Sequence, residues 1–63
     1  MKAYFVSYKR HDDDVVCSTN IVHADDESAV AVEFAGCSWF LSREAKEHEV
    51  EAAKAKGMPE RWL

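Results

Sequence analysis

The chain has 63 residues, 48% of them hydrophobic and 32% charged, with a formal net charge of −4. A chain this short makes at most one small domain, which buries about 60% of the surface its unfolded form exposes. The apolar share excludes a disordered chain, the acidic balance works against nucleic-acid phosphates, and no apolar run approaches the roughly 20 residues needed to span a bilayer.

In chain order, residues 3–9 read as a first strand, because Tyr4, Phe5, Val6 and Tyr8 suit a pleated surface. Tyr4, Val6 and Tyr8 share one side and Ala3, Phe5 and Ser7 the other. Residues 15–24 read as a second strand, and the intervening RHDDD has the length of a hairpin loop. So short a link makes the two strands antiparallel neighbours. Asp25 or Asp26 is placed to cap a helix that carries Val30 and Phe34 on one face, and Gly36 to end it in a left-handed conformation.

Residues 37–42, CSWFLS, suit either a short third strand or an irregular apolar link, and the strand is the preferred reading. A second helix is expected from Arg43 or Glu44 to Lys56, capped by Ser42 and stopped by Gly57 and Pro59. Its acids come early and its lysines late, as the helix dipole favours, but its apolar stripe is thin, chiefly Val50 and Ala53. Residues 58–63 are expected to form a loose tail. The sum is a single α+β domain over residues 1–63. Its order is β-β-α-(β)-α, a small antiparallel sheet with both helices on one face.

The polar interruption His11-Asp12-Asp13-Asp14 raises the question of chemistry. His11, Asp12 and Asp14 offer nitrogen and oxygen ligands, but adjacent loop residues lack the alternation and the glycine of a calcium loop and the spacing of a zinc site. A solvated acidic turn is the preferred reading, since aspartate side chains bond nearby backbone N–H groups. Cys17 and Cys37 are too few for a disulfide framework and read as buried thiols of a reducing compartment. Neither stands at a helix start that would lower its pKa, and so short a chain has little room for a pocket of about 300 Å³. The chain is therefore read as non-enzymatic. His23 and His48 read as a sheet-end residue and an exposed helix residue.

Phe5-Val6-Ser7-Tyr8, followed by Asp12, resembles the first box of TIR signalling domains. That family has a doubly wound parallel sheet, whereas the second strand here returns too soon for a crossover unit, so the likeness is read as coincidental. Ala24-Asp25-Asp26-Glu27-Ser28-Ala29, after its hairpin, resembles the strand-to-helix junction of small phage, plasmid and gut-bacterial proteins of the DpnD/PcfM type. This second resemblance covers the first half of the chain and implies a bacterial mobile-element setting but no activity.

The chain is thus expected to be a cytoplasmic interaction or regulatory module with no cofactor and no membrane partner. Its partner would be another protein or a second copy, met through an open strand edge or the aromatic residues Trp39, Phe40, Tyr4 and Tyr8. A nucleic-acid accessory protein, with bases stacked on those aromatics, and a weak metal-binding protein using His11, Asp12 and Asp14 are the alternatives.

Overall fold

The computed structural model describes residues 1–10 and 18–63, so His11, Asp12, Asp14, Cys17 and the expected start of the second strand lie outside the described residues. The fold is α+β. Its elements are β1 (Lys2–Lys9), β2 (Ser18–Ala24), α1 (Glu27–Glu33), β3 (Trp39–Glu44), α2 (Glu47–Ala55) and β4 (Glu60–Trp62). The sheet order is β3-β1-β2-β4. β1 is antiparallel to both neighbours, with Tyr4 opposite Val22 and Glu44, while β2 and β4 run parallel.

One face of the sheet carries the main core. Alternation along β1 sends Tyr4, Val6 and Tyr8 to this face, and the register adds Val22 and Ala24 from β2 and Phe40 from β3. α1 closes over them through Val30 and Phe34, four residues apart and both buried. The Phe34 ring lies 4.9 Å from Tyr8 and 6.1 Å from Phe40 in tilted contacts. Cys37 packs beside them, half-buried. Asp26 caps the helix as expected, its Oδ1 accepting from the Ala29 N–H at 3.0 Å.

α2 lies on the opposite face, over the end of the sheet formed by Ala3, Phe5, Ile21 and His23. Arg43 and Glu49 join this face of β3 to the helix, and Lys54 reaches Glu60 of β4. The expectation of two helices on one face is therefore corrected, and topology gives the reason. The β2–α1–β3 connection crosses β1 in one direction, and the β3–α2–β4 connection returns across both middle strands. Crossovers between parallel strands are right-handed, and two running in opposite directions keep that hand only on opposite faces.

Four local expectations are also corrected. α1 ends without a left-handed glycine: Phe34 is its C-cap, and the chain turns through the Cys37 N–H to Phe34 carbonyl bond at 3.1 Å. The left-handed residue is Gly57, at φ 87°, after α2. There Met58 N–H donates to Ala53 C=O at 3.1 Å and Gly57 N–H to Lys54 C=O at 3.0 Å, a Schellman ending. Ser42 is not a cap, because Arg43 and Glu44 continue β3 against Phe5 and Tyr4. α2 starts later, with Lys46 as N-cap. Lysine offers no acceptor, so the start is held by the Glu49 carboxylate accepting from the Lys46 N–H at 3.0 Å.

The last correction concerns the chain after Gly57. Residues 60–62 are a strand rather than a loose tail, and they make the sheet mixed. Ile21 N–H donates to Pro59 C=O at 2.8 Å, and Leu63 N–H to His23 C=O at 3.0 Å. Side chains fasten both sides of β4. Trp62 stacks on His23 at 3.7 Å and 10°, and His23 Nε2 and Glu60 Oε2 are 2.8 Å apart. On the other face Arg61 bonds Glu33 of α1 and lies over the Phe34 ring.

Candidate interaction surface

The four aromatic residues expected to form one contact surface are divided by the sheet. Tyr4 is 3% exposed, and Tyr8 and Phe40 pack against the core beneath α1. Trp39 is adjacent to Phe40 in β3 and therefore points to the other face, where it is 39% exposed. Strand alternation separates residues that are neighbours in sequence.

On Trp39's side the strand continues with Leu41 and Arg43. Leu41 is 70% exposed, more than any other large apolar side chain of the sheet's described residues. α2 stops short of this part of the face. A shallow groove of about 310 Å³ runs here, lined by Phe5, Ser7, Leu41, Ser42 and Arg43. Ser7 in its lining is held from β2 by Thr19, Ser7 Oγ lying 3.0 Å from Thr19 Oγ1.

Arg43 closes one end of the groove in a fixed position. Its two terminal nitrogens meet the two Glu49 oxygens at 3.3 and 2.9 Å, and its guanidinium carbon lies 4.9 Å above the Phe5 ring. This forked pair holds the Glu49 carboxyl down at about 2, with the Lys46 N–H bond as a second cause, and raises the Arg43 guanidinium above its ordinary value.

Among the described residues β3 is also an edge of the sheet, with β1 as its one neighbouring strand. Its backbone parity follows from the Ala45 N–H to Ala3 C=O bond at 2.8 Å. Odd-numbered residues of β3 direct their backbone groups to β1, so Phe40, Ser42 and Glu44 direct theirs outward. Leu41, Arg43 and this outward ladder were absent from the expected contact set. The signal that finds them is the period of two beginning at Trp39.

Four of the described bases meet acids: Lys2 with Glu44, Arg43 with Glu49, Lys54 with Glu60 and Arg61 with Glu33. Among the described residues no group of three or more His, Cys, Asp or Glu side chains is arranged to hold a metal ion, and no helix is long and apolar enough to cross a membrane. His48 is exposed on α2. The expectation that the chain lacks room for a pocket is corrected by a second open cleft of about 390 Å³ beside α2, lined by residues including Ala3, His23, Val50 and Lys54. Its small lining residues are Ala3 of β1 and Ala45 just before α2, while the helix itself contributes Glu47, Val50, Glu51 and Lys54. His23 and Lys54 in its wall are both engaged by Glu60. Comparison with protein-family models, curated proteins and solved structures finds no match.

Proposed function

We propose that this chain is a small non-enzymatic interaction module that docks a protein partner along β3. The observation that carries the reading is Leu41, 70% exposed beside Trp39 on a strand whose outer ladder faces away from the sheet. A partner strand added there gains main-chain hydrogen bonds from the edge and specificity from side chains on alternate positions. β4 is the other edge strand, but it spans only Glu60–Trp62. The net charge of −4, with four of the bases held by acids, favours a protein partner over nucleic acid, and the DpnD/PcfM-like junction supports a bacterial mobile-element setting.

Selection of peptides from a random display library on the immobilised domain tests this reading. Recovered peptides should shift the amide resonances of Phe40, Ser42 and Glu44, and Leu41→Lys should abolish their binding while leaving the spectrum folded. Binders that map to the exposed face of α1, or that tolerate Leu41→Lys, would refute it.

A further inference from the structure

We infer that the partner strand is β3 of a second copy, antiparallel across a two-fold axis at Leu41; this rests on the docking reading above. Antiparallel pairing must match outward-facing backbone groups with outward-facing groups, so Phe40, Ser42 and Glu44 can meet only even-numbered residues of the other strand. A two-fold axis at Leu41 satisfies this. It sets Phe40 against Ser42 of the second copy, and Ser42 against Phe40, so that each pair exchanges two N–H to C=O bonds.

The side chains then complement one another. Leu41 meets its own symmetry mate at a non-hydrogen-bonded position, the closer of the two antiparallel pair types, where Cα atoms stand about 4.5 Å apart. Trp39 comes opposite Arg43 of the second copy on the same face, a cation against an aromatic ring. Glu49 and Phe5 already hold Arg43 there, so little side-chain freedom is lost on pairing. No like charges become directly opposed. The patch is self-complementary, as an isologous interface requires.

The neighbouring allowed registers are poorer. An axis at Ser42 sets the Glu44 carboxylate against the Phe40 ring and draws it from Lys2, 3.6 Å away. An axis at Arg43 sets two guanidinium groups against each other. An axis at Phe40 needs an outward N–H from Ser38, whose N–H instead bonds the Lys9 carbonyl at 2.8 Å.

The test combines mass with crosslinking, in the 63-residue chain carrying Cys17→Ala and Cys37→Ala. Sedimentation equilibrium should return twice the chain mass, and Leu41→Lys should halve it while its amide spectrum stays dispersed and its unfolding temperature no longer rises with concentration. With a mild oxidant, Leu41→Cys should crosslink at least about tenfold faster than Ser42→Cys, because only position 41 meets itself at disulfide distance in this register. A dimer that crosslinks faster through Ser42→Cys overturns the register. A parent protein that stays monomeric at NMR concentrations, or a Leu41→Lys variant that remains folded and dimeric, overturns the self-pairing. The peptide selection then decides separately whether β3 docks anything else.

Discussion

The Arg43–Glu49 pair shows how one exposed contact ties an edge strand to a helix start. Glu49 accepts both from Arg43 and from the Lys46 backbone N–H, and its carboxyl falls from the ordinary 4.5 to about 2. A depressed carboxyl stabilises the fold fully above its unfolded pKa and loses that contribution as pH falls through the folded value. The window therefore runs from about pH 5 down to about 2, and Arg43 stays charged throughout. Glu49→Gln should lower the unfolding temperature at pH 7, and the gap from wild type should narrow as pH falls through this window. A constant gap from pH 7 to pH 2 would show that the pair does not act through its charge. The pair is open to solvent, so screening keeps the effect modest. Asp26 was legible as a cap because capping is a local rule. Glu49 was not, because the alanines and early acids drew the expected helix start back to Arg43, hiding that Arg43 and Glu49 belong to different elements.

At the scale of elements, β3 and β4 mark what sequence patterning reveals and what it misses. CSWFLS could be read as a strand because it is short, aromatic and bounded by Gly36, although the observed strand is shifted forward to Glu44. Glu60–Trp62 could not, since three residues show no periodicity and their partner, β2, is distant in sequence. Only the tertiary fold brings Trp62 onto His23. Trp62→Ala should cost about 1 kcal/mol, the order of an aromatic pair beyond its area. It should also speed exchange of the Ile21 amide, which donates to Pro59, far more than that of Val22, which faces β1. Equal acceleration at both amides would show that β4 does not open separately from the rest of the sheet.

The whole molecule rests on few buried side chains. Among the described residues the largest fully buried ones are Phe34, Ile21, Val6, Val22 and Val30. At roughly 0.05–0.15 kcal/mol per residue, a domain of this size has only several kcal/mol of stability, and truncating a buried Phe costs about 3–5 kcal/mol. Phe34→Ala should therefore leave most molecules unfolded at 25 °C, seen as collapse of amide dispersion, whereas Val32→Thr on the exposed side of α1 should unfold like the wild type. A dispersed Phe34→Ala spectrum would mean that the core under α1 is not what holds the domain together. The class α+β and the element order through α2 were legible from local signals: alternation in β1, the Asp26 cap with Val30 and Phe34 in α1, the short aromatic run of β3, and the charge order and Gly57 stop of α2. The placement of the helices was not, because it follows from the directions of two crossovers, which no local pattern encodes.

Those crossovers also set a timetable. Every residue packed under α1, from Tyr4 to Phe40, is synthesised before α2 begins at Glu47. A ribosome delivers the whole of one core before the cover of the other. Until α2 and β4 emerge, Phe5, Ile21 and the β2 edge face solvent uncovered, so the nascent chain passes through a half-clad sheet that the finished molecule no longer shows.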